Sequence, residues 1–271
     1  MLQAREQSPN TTQFMENGLL EIEIDPTPLK THIPTIVEGM RRMCNSEKAQ
    51  KLFPYAVLRL DAMGWKEDAG FYSEREDETK DYFHYSPDSQ WPLTDSFARE
   101  FIPFFEACDA LTRFAQSHVV RLVRDIDREY GTVLLPHFSD TYVVMRILRY
   151  LKIDDRIKED AFPHFDRCAI TNHLWASHPG LFVYSSGVPR RIDECAFNRS
   201  ALFPGKKLLA HTEGKYGIHG MHGVRDARQT SIGDERIAIV VFTHCRLPPS
   251  ALQWLVENDA RIKEIAHSHK L

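Results

Sequence analysis

Long apolar runs are missing from this 271-residue chain. The longest, Ile237 to Phe242, falls far short of the ~20 residues that a membrane-crossing helix needs. Cysteine is scarce. Cys44, Cys108, Cys168, Cys195 and Cys245 are odd in number, widely spaced and without a Cys-x-x-Cys pair, which argues against a disulfide scaffold or a zinc knuckle. A dominant charge is missing too: 34 Lys+Arg against 38 Asp+Glu leave −4, so nothing electrostatic points to nucleic acid. No internal repeat or low-complexity segment is visible. With 42% hydrophobic and 27% charged residues, the composition excludes collagen-like sequence, coiled coil and disorder for the whole chain. The polar start, Met1 to Gln13, does not read as a secretory signal, and reduced thiols point to the cytoplasm.

Periodicity supplies the elements. Residues 1 to about 18 read as polar and frayed, and Leu19, Leu20, Ile22 and Ile24 follow as a short apolar alternation. From Pro28 to Phe53, Leu29, Ile33, Ile36, Val37, Met40 and Met43 recur at three- and four-residue steps, the period of an amphipathic helix. Pro54 to Leu60 reads as a strand, and Ser73 to Pro92, dense in charge, Ser and Pro, as a surface loop. A long helix is expected from about Thr94 to Tyr130, kinked or restarted at Pro103 and ended by Gly131. Short β-rich runs then follow at Tyr142–Leu148, Gly180–Tyr184, Lys207–Leu209 and Ile237–Phe242. Gly and Pro separate them, the pattern of a β-sandwich or jelly roll. The expected class is α+β: one domain over 1–271, with a mainly helical part to 135, a β core at 136–248 and a closing helix at 249–271.

Thirteen histidines are the informative residues. In Pro163-His164-Phe165-Asp166 an imidazole and a carboxylate stand two positions apart, on one face if the segment is extended. With a third ligand from elsewhere they would form a two-histidine, one-carboxylate face, which leaves positions open on iron(II). The spacing alone is weak, because His211-x-Glu213 repeats it and about two such triplets arise by chance.

The surroundings are more specific. His164-x-Asp166 with Thr171 five residues on, then Gly180-Leu181-x-Val183, resembles the signature of the 2-oxoglutarate- and iron(II)-dependent oxygenases. Pro204-Gly205…Leu208…Thr212-x-Gly214, then His222-x-Val224, then Arg236-x-Ala238 continue the resemblance in order. It spans roughly residues 140 to 245 and is closest to the isopenicillin N synthase-like branch. The resemblance implies a double-stranded β-helix (jelly-roll) core with a helical layer packed on it.

It further implies iron(II) held by His164, Asp166 and His222, with His219 the alternative for the last position and His211 a non-ligand on a strand. Arg236 would grip the distal carboxylate of 2-oxoglutarate, a task suited to a planar guanidinium; otherwise it is a surface charge paired with Glu235. Where the family has Ser, this chain has Ala238, and Tyr150 could supply a replacement donor or be plain core. Arg146 and Arg149 flank the strand of the expected cavity, where one could meet a substrate carboxylate, and Cys168 could face the same space.

The implied reaction couples decarboxylation of 2-oxoglutarate by O2 to hydroxylation or desaturation of a small molecule. A carboxylate at Asp166 speaks against the related halogenases, which have a small residue there. Two other readings stay open: an oxidase like isopenicillin N synthase that uses no 2-oxoglutarate, and a non-catalytic metal-binding β-sandwich protein.

Overall fold

The computed structural model describes residues 9–74, 80–138, 142–151, 159–185, 188–225 and 235–268. The amino-terminal part runs α1 (Pro9–Asn17), β1 (Leu20–Glu23), α2 (Pro26–Cys44), α3 (Glu47–Leu52), β2 (Ala56–Leu60), β3 (Lys66–Glu74), β4 (Lys80–Tyr85) and α4 (Ile102–Tyr130). A strand-rich part follows: β5 (Val143–Leu151), β6 (Glu159–His164), β7 (Ile170–Ala176), β8 (Leu181–Ser185), β9 (Val188–Arg191), β10 (Arg199–Pro204), a short helix α5 (Lys206–His211), β11 (His222–Arg225) and β12 (Glu235–Thr243). Helix α6 (Pro249–His267) closes the described chain.

The strands form two antiparallel sheets. One has the order β1-β10-β7-β12-β5-β4-β3-β2, the other β6-β11-β8-β9. From β5 onward the chain passes back and forth between them, apart from the β8-β9 hairpin within the small sheet, and the pleat of each strand decides where its side chains go. On β5, Val143, Met145 and Ile147 enter the helical layer, while Val144, Leu148 and Tyr150, with Tyr142 just before the strand, enter the space between the sheets. On β12, Ile237, Ile239 and Val241 meet the helices, and Ala238, Val240 and Phe242 meet Ala161 of β6 and Val224 of β11 across the gap. Arg146 and Arg236, on the same alternation, fall on the inner face.

Helix α4 carries the outer layer. Phe104, Phe105, Cys108, Leu111 and Ala115 pack in one cluster with the α2 stripe of Leu29, Ile33, Ile36, Met40 and Met43. Pro103 lies in the first turn of α4, where its missing N–H costs nothing, after a 3-10 turn at Ala98–Phe101. Helix α4 therefore restarts at this proline instead of kinking. Gly131, at φ 66°, ends it in the left-handed region.

Several expectations need correction. Residues 1–8 lie outside the described residues, but Pro9–Asn17 is helical and not frayed, because Phe14 and Met15 dock against Val119 and Leu202. The long first helix breaks at Asn45–Ser46, where Ser46 Oγ accepts the Ala49 N–H and starts α3. Ser73 to Pro92 holds part of β3 and all of β4, and residues 75–79 within it lie outside the described residues. Its buried polar groups are paired largely by neighbouring strands: Asp81 meets Arg149 of β5 and accepts from Ser73, and His84 donates to Asp68 of β3. Lys207–Leu209 is helical, not extended. Leu209 and Ala210 of α5 pack with Leu255 of α6, and Lys206 pairs with Asp259 at 2.6 Å.

Candidate active site

Between the two sheets, three donors converge. His164 is the last residue of β6, and the ladder sets it opposite His222 at the start of β11, with ring centroids 4.4 Å apart. Asp166 lies past the end of β6, because its carbonyl accepts the Lys206 N–H at 2.8 Å instead of continuing the ladder. The expectation that both members of the pair sit on one strand is thus corrected, although both side chains still face the same space. Asp166 Oδ2 is 3.3 Å from His222 Nε2, Asp166 Oδ1 is 3.6 Å from His164 Nε2, and one ligand atom from each residue lies within 4.8 Å of the others.

Each imidazole is oriented from behind. His164 Nδ1–H donates to the Phe162 carbonyl at 2.7 Å, and His222 Nδ1–H to the Gly220 carbonyl at 3.0 Å. A carbonyl only accepts, so the proton sits on Nδ1 and the Nε2 lone pair of each ring faces Asp166. The third donor is held by Thr171, whose hydroxyl donates to Asp166 Oδ2 at 2.5 Å; this contact gives the five-residue spacing between Asp166 and Thr171 a physical reason. Burial pushes the Asp166 carboxyl up, but His222 and His164 in their protonated forms, with the Thr171 hydroxyl, outweigh it and hold it well below the usual range. Burial draws His222 down to about 4, against the pull of Asp166. Two lone pairs and a carboxylate facing one another repel unless a cation lies among them. Donors at right angles with bonds of about 2.1 Å would stand about 3 Å apart, close to the 3.3 and 3.6 Å between Asp166 and the two imidazoles. The set therefore fits an ion that accepts nitrogen and oxygen. The His164 side chain keeps 45% of its exposure while Asp166 and His222 are buried, so the ion would stay open on one side.

Gly220 allows this turn. Its φ is +94°, and a Cβ there would stand 2.1 Å from the Pro204 carbonyl oxygen. His219 is not brought into the cluster; it packs against Gly18 and Gly217. His211, expected on a strand, lies on α5 and meets the Arg246 carbonyl through Nε2 at 2.7 Å.

Deeper in the same space lies Arg236, 1% exposed. Glu235 is not its partner: that carboxylate faces outward to Arg41 and Arg149. The partner is Glu194, whose Oε2 accepts from Arg236 Nη2 at 2.5 Å and lies 3.0 Å from His173 Nε2, while Oε1 accepts the Leu181 N–H at 2.7 Å. Against burial, Arg236 and His173 draw the Glu194 carboxyl down to about 2. Arg236 Nε donates to the His178 carbonyl at 2.9 Å. Its Nη1 is buried with no partner among the described residues. The Tyr150 ring lies 5.2 Å from the guanidinium, and Ala238 leaves the neighbouring wall apolar. Arg236, Tyr150, Ala238 and the three donors line one inner cavity, which shares His164 and Asp166 with an outer cavity of about 320 Å³. Cys168 faces that outer space, in contact with Thr171 at 3.2 Å, and burial raises its thiol far above the ordinary range.

Glu194 and His173 were not visible as site residues in the sequence. His173 follows Thr171 at the two-residue step of β7, the one signal that could have placed it on the inner face. Glu194 sits in a connection and carries no such signal.

No protein-family model and no curated protein matches the sequence. Solved structures do. One is a protein of Shewanella oneidensis assigned as an oxygenase, 21% identical, with a TM-score of 0.70 over 94% of each chain. Another is AtDAO1, dioxygenase for auxin oxidation 1 of Arabidopsis thaliana, in a 2-oxoglutarate complex: 15% identity, TM-score 0.66, covering 92% of this chain and 95% of that one. A full-length protein of Neurospora crassa, solved with 2-oxoglutarate and 5-formyluracil, aligns at 16% identity and TM-score 0.63 over 93% of this chain and 88% of that one. The chain has the fold of the 2-oxoglutarate- and iron(II)-dependent oxygenases. At these identities the likeness concerns the fold alone.

Proposed function

We propose that this chain is a non-haem iron(II), 2-oxoglutarate-dependent dioxygenase that hydroxylates or desaturates a small molecule, in the isopenicillin N synthase-like branch. The observation that carries the reading is the convergence of His164 Nε2, His222 Nε2 and the Asp166 carboxylate at one end of a cavity whose other end holds Arg236 with a buried, unpartnered Nη1. On this reading β5 to β12 are a double-stranded β-helix, since the chain crosses between the sheets at every step but the β8-β9 hairpin, giving the orders β10-β7-β12-β5 and β6-β11-β8-β9. The chain is then one domain, 1–271: the part to 135 backs the core, 136–248 carries the site, and 249–271 seals one end. The unpaired thiols suit a cytoplasmic location.

His164, Asp166 and His222 would hold the iron, and Arg236 with Tyr150 beneath it would hold the distal carboxylate of 2-oxoglutarate. When bound, iron and 2-oxoglutarate supply the oxidation: O2 is reduced as the co-substrate loses CO2 to become succinate. The chain's own part is geometric. Phe162 and Gly220 keep the imidazole lone pairs aimed inward, and Thr171 keeps the carboxylate turned toward them. Leu148, Val224 and Val240 keep the inner cavity dry.

One observation favours a second reading, the oxidase that takes no 2-oxoglutarate. Glu194 already occupies one arm of Arg236, and Ala238 supplies no hydroxyl. An oxygen electrode with iron(II), with and without 2-oxoglutarate, separates the two. Succinate formed with oxygen uptake is expected; uptake that ignores 2-oxoglutarate would move the chain to the oxidase reading. Iron binding that survives unchanged in Asp166→Ala would remove both and leave a metal-binding sandwich protein.

A further inference from the structure

Arg146 is a cation at the mouth of the site that the metal and co-substrate reading does not use. It lines both the outer and the inner cavity. Its Nε–H donates to His84 Nε2 at 2.5 Å. An arginine N–H only donates, so that nitrogen is a lone pair and the His84 proton sits on Nδ1, which donates to Asp68. Burial, then the Arg146 charge, draw His84 down to about 4, in keeping with this neutral relay. Asp68 also accepts from Tyr55 at 2.5 Å. The guanidinium carbon lies 5.3 Å from the Tyr82 ring centroid and 4.8 Å from that of Phe242. Nε is therefore occupied and aromatic rings flank the group, while Nη1 and Nη2 have no hydrogen-bond or carboxylate partner among the described residues.

Arg149, on the opposite face of β5, is paired with Glu235 and Asp81, and Arg236 with Glu194. Arg167 also lines the outer cavity, but it is solvent-exposed and stands over the Trp65 ring at 5.8 Å, so nothing fixes its edge as His84 fixes that of Arg146. Holding a guanidinium by its Nε and its faces keeps its free edge in place, and two parallel N–H groups on that edge match the two oxygens of a carboxylate. A neutral substrate would cover those donors without pairing them, at a cost that discriminates against it. Tyr142, Val144 and Phe242 give the outer cavity one apolar stretch, which suits an apolar or aromatic body, while Lys66, Asp68, Arg167 and His244 line the rest.

We infer that the primary substrate is a small apolar or aromatic carboxylic acid, its carboxylate held end-on by Nη1 and Nη2 of Arg146 and its body lying along the cavity toward His164 and Asp166. This rests on the oxygenase reading of the site for its catalytic meaning, although the anion site stands on its own geometry.

The test uses matched acids and amides, hydrocinnamate with hydrocinnamide and octanoate with octanamide. Binding to the full chain is followed by ligand-detected NMR, with and without iron(II) and 2-oxoglutarate under anaerobic conditions. At least one acid should bind about tenfold or more tightly than its amide. Arg146→Gln should abolish that preference while keeping 2-oxoglutarate affinity within about threefold, and Arg146→Lys should restore part of it. Unfolding midpoints confirm that both variants fold. Equal binding of acid and amide, or no binding of any acid at about 1 mM, overturns the inference. Loss of 2-oxoglutarate binding in Arg146→Gln with the acid preference intact assigns Arg146 to the co-substrate and overturns it equally. If acids are preferred through Arg146 but neither iron(II) nor 2-oxoglutarate binds, the oxygenase reading fails and the acid site survives.

Discussion

At the scale of single residues, the buried pair of Arg236 and Glu194 makes the sharpest demand on the solvent. Neither side chain is exposed beyond 1%, so each depends on the other for its charge to be tolerated. The Glu194 carboxyl is at about 2 in the folded chain against an ordinary 4.5. A depressed carboxyl contributes stability that is complete above the unfolded value and is lost as pH falls toward the folded one. The difference corresponds to about 3 kcal/mol at neutral pH. In urea titrations Glu194→Gln should be less stable than the parent by about that amount near pH 7, and the gap should shrink by more than half by about pH 3. A gap that stays constant across that range would mean that the charge of Glu194 does not hold Arg236. None of this was legible beforehand. Glu194 meets Arg236 and His173 from distant parts of the chain, and a contact between distant residues leaves no spacing to read. His164, Asp166 and His222, by contrast, stand in local patterns with neighbours that name them.

At the scale of elements, the turn before β11 aims His222. Gly220→Ala combines a positive φ with a Cβ that would collide with the Pro204 carbonyl oxygen. Gly64 is the natural control, because its φ is +71° but no atom lies within 4 Å of its Cβ position. Gly64→Ala should cost about 1 kcal/mol and leave metal binding unchanged. Gly220→Ala should cost more and weaken metal binding at least tenfold, since it moves the carbonyl that orients His222. Isothermal metal titration and unfolding curves read both, and equal behaviour of the two variants would count against the turn as an aiming device. Elements with clean periodicity were legible: the stripes of α2 and α4 and the apolar runs of β5, β8 and β12 lie where their patterns point. Strand β4 was hidden because Asp81 and His84 are buried by pairing with polar partners, so its alternation is not one of apolar with polar. Helix α5 was hidden because three residues, Lys207–Leu209, read alike in a turn of helix and in a strand, and only the packing of Leu209 and Ala210 with Leu255 of α6 decides.

At the scale of the whole molecule, the donors join parts of the small sheet that folding alone must bring together. His164 ends β6, His222 starts β11, and Asp166 leads into β7 of the other sheet. In the unfolded chain His222 is far from the neighbouring His164 and Asp166, so the full donor set exists only in the folded state, which metal binds more tightly and stabilises by mass action. At free metal about a hundredfold above the dissociation constant that contribution is about 2.7 kcal/mol, a rise in Tm of roughly 5 °C or more for a chain of this length. Manganese(II), which accepts the same donors, should raise the Tm of the parent chain and leave that of Asp166→Ala unmoved. The same measurement tests the third ligand. His219 packs against Gly18 and Gly217, away from the cluster, so His219→Ala should keep the metal-dependent rise and His222→Ala should lose it. A rise that survives in His222→Ala but vanishes in His219→Ala would transfer the ligand role three residues back and require the turn at Gly220 to be refolded around the ion.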